Sequence, residues 1–127
     1  MTNCCANCQG LGLDIIHHFA TQLLVSINFL HSLGIMHCDL KPQNILLKQE
    51  DQLDIKVIDF GSSCFQQHQQ YVITGSLGYA APEIILEDFP YSTAIDMWSL
   101  GCTLAELYIG HPLFTGWYVD CELISLF

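Results

Sequence analysis

The chain has 127 residues, enough for one hydrophobic core and too few for two domains of ordinary size. Hydrophobic residues make up 51% and charged residues 13%, against about 25% charged in an average soluble domain, so the composition favours a piece of a globule over a complete one. Thirteen acids face three lysines and no arginine, and the resulting formal charge of −10 excludes nucleic-acid binding by a basic patch.

Residues 1–12 are small, polar and without period, and read as a tail. The seven cysteines are an odd number and no basic segment precedes an apolar stretch, so the chain reads as intracellular, cytoplasmic or nuclear, with reduced thiols. Cys4, Cys5 and Cys8 contain one C-x-x-C pair. Their nearest possible partners, His17 and His18, fall on the following helix, so the zinc-ligand set is incomplete. From Leu13 to Leu33, Ile16, Phe19, Ala20, Leu23, Leu24, Ile27 and Leu30 recur at three- and four-residue steps, which predicts one long helix ended by Gly34. Gln22, Ser26, Asn28 and His31 interrupt its apolar run before it reaches the ~18 residues of a membrane span, so no membrane segment is expected.

Between Ile45 and Ile58, two apolar runs flank the polar Gln49-Glu50-Asp51-Gln52, the pattern of a small hairpin. Residues 61–78 read as one long loop, of a length that is usually functional. A second helix is predicted from about Thr93 to Ile109, with Trp98, Cys102, Ala105 and Tyr108 on one side and Gly110 and Pro112 at its end.

The residues that carry chemistry sit around the hairpin. His37-Cys38-Asp39-Leu40-Lys41-Pro42-Gln43-Asn44 packs an acid, a cation and an amide into six positions just before the first strand, and Asp59-Phe60-Gly61 follows the second. Pairing of the two strands brings their outer ends together, so Asn44 and Asp59 are expected as neighbours and offer two oxygen donors suited to Mg²⁺. Asp39 and Lys41, two apart in an extended loop, can face the same way: a carboxylate to accept a hydroxyl proton and an ammonium to neutralise a transferring phosphoryl group. With so few cations in the chain, a merely solvated Lys41 is disfavoured.

The ordered series His37-Cys38-Asp39 with Asn44, Asp59-Phe60-Gly61, Ala81-Pro82-Glu83 and Asp96-Met97-Trp98-Ser99-Leu100-Gly101 resembles the C-terminal lobe of a eukaryotic protein kinase. The resemblance implies a mainly α fold with a small β-hairpin, a partial C-terminal lobe of the α+β kinase architecture, over residues 13–127. It implies that Asp39 is the catalytic base and that Lys41 contacts the γ-phosphate. Asn44 and Asp59 become the Mg²⁺ ligands, Leu46 joins Lys41, Asn44 and Asp59 in binding ATP, and the substrate is a protein. Leu-Lys-Pro at 40–42 and Ser76 mark the serine/threonine branch. Cys38 in place of the usual arginine, Ile58 to Cys64 and Ala94 to Cys102 are similar to the dual-specificity tyrosine-regulated kinases and their homeodomain-interacting relatives.

Against that pattern, the self-phosphorylated tyrosine falls at Ile73, with Tyr71 upstream, and the arginines that hold its phosphate are replaced by Leu77 and Ala80. An arginine fork cannot form in a chain without arginine. No Gly-rich loop or strand lysine precedes Leu13 and the sequence stops at Phe127, so the resemblance implies that the N-terminal lobe, the last helices and the partner of Glu83 are absent. A lone 127-residue chain is then expected to be inactive, with apolar faces left exposed.

Several residues have a structural reading beside the functional one. Asp96 stands three after Thr93, so it fits a capping box as well as the family role of receiving backbone N–H groups from the catalytic loop, and both uses are expected. His37 is expected in the core against Phe60, the Trp98 stripe in the core, and Cys38, Cys64 and Cys102 as small buried hydrophobes. The rival functions are a non-catalytic kinase-like remnant binding a protein partner through an exposed apolar face, and a cysteine-based metal or redox module.

Overall fold

The computed structural model describes residues 9–49, 52–68, 75–87 and 90–115. In chain order these form α1 (Leu13–Ser32), β1 (Ile35–Met36), β2 (Ile45–Leu47), β3 (Ile55–Val57), β4 (Cys64–Phe65), α2 (Pro82–Ile85) and α3 (Ala94–Ile109), with single 3₁₀ turns at Pro42–Asn44, Gln66–His68 and Leu77–Tyr79. Residues 1–8, which include Cys4, Cys5 and Cys8, lie outside the described residues, as do Tyr71 and Ile73.

α1 buries Phe19, Leu23 and Ile27, one residue per turn, and half-buries Ile15 beside them. Its buried stripe is narrower than the periodicity predicts, and Leu24 is 46% exposed because only one side of the helix meets other elements. Gly34 ends the helix: at φ 70° it donates its N–H to the His31 carbonyl at 2.9 Å, a left-handed turn that a β-carbon would disfavour. Contrary to the expectation from its polar interruptions, α1 is long and apolar enough to cross a membrane by length and composition. One side of it packs, with Phe19, Leu23 and Ile27 buried against Leu40, Ile55 and Leu100, and the rest is largely uncovered among the described residues.

α3 runs antiparallel to α1. Leu11 N–H donates to the Leu107 carbonyl at one end (2.8 Å), and His31 Nε2 meets Asp96 Oδ2 at the other (2.8 Å). The expected capping box does not form: Thr93 makes no side-chain cap, and Ser92 Oγ accepts the Ala94 N–H at 3.2 Å instead. Asp96 is turned inward and fully buried. Tyr108, expected on the packed side, is 49% exposed, while Ile95, Ser99, Leu100, Cys102 and Thr103 supply the buried side.

The hairpin forms as the sequence predicts, β2 antiparallel to β3 with Ile45 opposite Val57 and Leu47 opposite Ile55. Gln22 fastens it to α1 by donating from Nε2 to the Leu53 carbonyl and accepting the Ile55 N–H at Oε1, both at 3.0 Å. A second ladder pairs β1 with β4, inside the stretch read as loop. Two-residue strands are too short to show alternation, so their pairing left no periodic trace.

Two apolar clusters result. One joins α1, the hairpin and α3 through Phe19, Leu23, Ile27, Leu40, Ile55 and Leu100. The other gathers Met36, Ala81, Ile84, Tyr91 and Ile95 under the catalytic-looking loop, with Trp98 packed partly against it. An apolar recess of about 230 Å³ opens between Leu11, Ile15, Phe19, Ile45, Leu53 and Leu107.

Candidate active site

The loop 37–44 leaves β1 and is pinned before it reaches any functional side chain. Leu40 is buried in the first core cluster, and both oxygens of Asp96 receive the loop's backbone: His37 N–H to Oδ2 and Cys38 N–H to Oδ1, each at 2.9 Å. Cys38 sits at φ 65°, a left-handed conformation rare for a residue with a β-carbon. The His37 ring is wholly buried, 5.0 Å from the Phe60 ring. Its Nδ1 accepts the Asp39 N–H (3.3 Å), which leaves the proton on Nε2 to be donated to the Ile58 carbonyl (3.1 Å). One imidazole thus ties the loop to the segment after β3.

Asp39 is where the donors converge. Lys41 Nζ donates to Oδ2 at 2.8 Å, Asn44 Nδ2 to Oδ2 at 3.2 Å and to the Asp39 carbonyl at 2.8 Å, and Ser76 N–H to Oδ1 at 3.0 Å. Burial by itself would raise its pKa, but the Lys41 ammonium and the Ser76 and Asn44 donors outweigh it and hold the carboxyl below its ordinary value. Lys41 Nζ also donates to Ser76 Oγ at 2.8 Å, so the ammonium bridges the loop and the segment that follows residue 74. That close approach requires Gly75: at φ 97° it lies against Cys38, and a β-carbon there would overlap the Cys38 carbonyl oxygen.

Asp39, Lys41 and Asn44 are therefore brought together by direct bonds. Asp59 arrives through the backbone, since Ile58 N–H donates to the Asn44 carbonyl at 2.9 Å and Asp59 is the next residue. It is exposed, at φ 62°, and its Oδ1 accepts the Gly61 N–H at 3.3 Å within its own turn. Leu46 projects from β2 opposite Lys56 and is 49% exposed. The donor types suit a divalent cation: the Asn44 bonds to Asp39 use the amide nitrogen and leave its oxygen as a candidate ligand, and Asp59, an exposed carboxylate, follows the residue that pairs with the Asn44 backbone. Hard oxygen donors of this kind, few in number, suit Mg²⁺ with phosphate and water completing its shell.

Some contributors were invisible to sequence reasoning. Ser76 enters by its backbone N–H as well as its hydroxyl, and no local pattern marks a backbone donor 37 positions away from its acceptor. Tyr79 Oη donates to Glu106 Oε2 at 2.5 Å, fixing the turn Leu77–Tyr79 to α3 and, with burial, pushing the phenol's pKa up. Ser99 Oγ donates to the Tyr79 carbonyl at 2.6 Å from the same helix. Of the two positions that replace phosphate-holding arginines, Leu77 is exposed and Ala80 half-buried. Cys38 Sγ lies 3.8 Å from Cys64 Sγ, and burial together with the neighbouring Cys64 and Asp96 raises the Cys38 pKa, keeping the thiol neutral. Glu83 is half-buried, not buried.

Comparison with known proteins places the sequence in a family. The model of the protein kinase domain matches residues 3–122. The chain is 51% identical over 110 residues to human dual specificity tyrosine-phosphorylation-regulated kinase 4, covering 87% of this chain and 21% of that protein. It is 52% identical over 108 residues to dual specificity protein kinase YAK1 of Saccharomyces cerevisiae, covering 85% of this chain and 13% of that protein. The corresponding values for human dual specificity tyrosine-phosphorylation-regulated kinase 3 are 53% over 108 residues, 85% and 18%. The chain thus spans about a fifth or less of these relatives. A match over residues 3–122, almost from end to end, means that the chain belongs to the protein kinase family.

Proposed function

We propose that this segment carries the phosphoryl-transfer residues of an intracellular protein serine/threonine kinase, which moves the γ-phosphoryl of ATP to a protein hydroxyl. The bonding around Asp39 is the observation that supports it: a buried carboxylate beside an ammonium, with Ser76 bonded to both groups and the Asn44 amide to the carboxylate. Asp39 would accept the proton of the attacking hydroxyl, being ionised at neutral pH; the bonds that lower its pKa weaken it as a base until Lys41 turns to the phosphoryl group. Lys41, swung from Asp39 toward the phosphoryl group, would neutralise charge as it develops. Ser76 would hold the substrate segment against both. Asn44 and Asp59 would hold Mg²⁺, which when bound supplies charge stabilisation to the phosphate oxygens. Leu46 offers an apolar wall for the base of the nucleotide.

The relatives' printed names, dual specificity kinases, favour the same reading. The test is phosphate incorporation from Mg-ATP into a serine/threonine peptide, using the longest natural polypeptide that contains this segment and the 127-residue chain alone. Transfer by the longer polypeptide should fall about 10²- to 10⁴-fold in Asp39→Asn. The short chain, with one lysine at the site, should turn over little, because phosphoryl transfer rests on positioning. Transfer that survives Asp39→Asn unchanged overturns the proposal.

A second reading, a partner-binding remnant, draws on one observation: Val25, Phe29 and Leu33 form an exposed apolar row along α1, at 68%, 63% and 53% exposure.

A further inference from the structure

The segment 75–80 carries Ser76 to Asp39, so whatever fixes that segment fixes one wall of the site. In front, Ser76 donates its N–H to Asp39 Oδ1 at 3.0 Å and its hydroxyl accepts from Lys41 Nζ at 2.8 Å. Behind, α3 holds the turn Leu77–Tyr79 from one face: Ser99 Oγ donates to the Tyr79 carbonyl, and two helical turns further on Glu106 Oε2 accepts the Tyr79 hydroxyl. Burial and the Glu106 carboxylate push the phenol's pKa up, so it keeps the proton it donates. From the side, Gly78 lies so close to the chain beyond α3 that a β-carbon on it would stand 2.9 Å from the Phe114 carbonyl oxygen. The Phe114 ring in turn stacks on Trp98 of α3, with centroids 6.1 Å apart.

The charges around the segment decide what kind of fastening it can use. The chain has no arginine, and among the described residues Lys41 is the lysine that reaches the segment, already shared between Asp39 and Ser76. Lys48 lies toward Asp54, and Lys56 is exposed on β3. The ionisable group that α3 bonds to the turn is an acid, Glu106. A phosphate orders a segment by gaining charge-assisted bonds to cations, and beside carboxylates it is repelled. On this segment it would meet Asp39 on one side and Glu106 on the other.

We propose that the segment 75–80 is latched in its working position by the Ser99 and Glu106 bonds to Tyr79, and that this latch closes with no phosphate on the chain, so that the site is not switched by phosphorylation of that segment. The word working rests on the reading of Asp39 as the base; the latch itself is tested without nucleotide.

Amide hydrogen exchange in the 127-residue chain, shown by mass to carry no phosphate, reads the outcome. Leu100 in α3 reports global opening. The Ser76 and Ala80 amides should exchange at least about tenfold more slowly than in an unstructured peptide. In Tyr79→Phe their exchange relative to Leu100 should rise about tenfold, the effect of losing one hydrogen bond to a charged group. In Glu106→Gln, which keeps an acceptor for the phenol and removes the charge, it should stay within about threefold of the parent. Unprotected Ser76 and Ala80 amides in the phosphate-free parent, or an unchanged ratio in Tyr79→Phe, overturn the proposal; should Tyr79→Phe fail to fold, the parent's protection decides. In the longest natural polypeptide containing the segment, phosphatase treatment should leave transfer to a peptide within about twofold, and a loss of about tenfold or more overturns the latch while leaving Asp39 in place. Absence of transfer before treatment counts against Asp39 alone, and the exchange ratios then decide the latch.

Discussion

Asp39 titrates with a carboxyl held below its ordinary value, against burial, by Lys41, Ser76 and Asn44. Because the folded-state pKa is depressed, the stabilisation is complete above the unfolded value, near 3.9, and is lost as pH falls from there through the folded value. Urea midpoints measured between pH 6 and about pH 2.5 should therefore drop on the acid side, and Asp39→Asn should flatten that drop. Thr103 presents the opposite case, a hydroxyl buried at 1% exposure with no hydrogen-bond partner among the described residues. Thr103→Val keeps the shape and removes the unpaired group, so the chain should gain about 1 kcal/mol in urea denaturation. At this scale Asp39, Lys41 and Asn44 were legible because six consecutive positions carry all three. Gly75 and the Ser76 backbone were not, since what they touch is brought near only by the turn of a distant segment.

Elements were legible in proportion to their length. α1 and α3 announced themselves by repeated three- and four-residue steps, and the hairpin by two apolar runs around a polar turn. The β1–β4 ladder had no such signature, and the Thr93–Asp96 cap was misread because the inward pull of two backbone amides and His31 commits Asp96 elsewhere. Gln22 shows how a polar interruption in an apolar run can be structural. Its single amide serves both Leu53 and Ile55, docking a three-residue strand that has β2 as its ladder partner. Gln22→Leu should cost about 2 kcal/mol, the loss of two bonds with the buried Ile55 N–H left unpaired. Urea denaturation gives the magnitude, and faster exchange at the Ile55 amide than at Leu100 would locate the loss in the hairpin.

Among the described residues, two clusters share α3 and leave the loop 37–44 lying between them, anchored by Leu40 in one and bordered by Met36 in the other. The order of short motifs made this arrangement readable in outline, and the low charge content agrees with the apolar row on α1. The 230 Å³ recess beside Phe19 and Leu107 adds something neither composition nor motif could reveal. The recess is open to solvent and walled by apolar side chains, with Leu47 and Leu53 about half exposed, so covering it takes apolar surface out of water. A larger side chain reaching into it, as in Ile15→Phe, should raise the thermal unfolding midpoint with a gain of about 1 kcal/mol. This corner of the molecule is thus expected to tolerate growth where most cores punish it, and engineering for a sturdier protein would begin there, with Ile15 rather than with Pro42, which lines the same recess one position from Lys41.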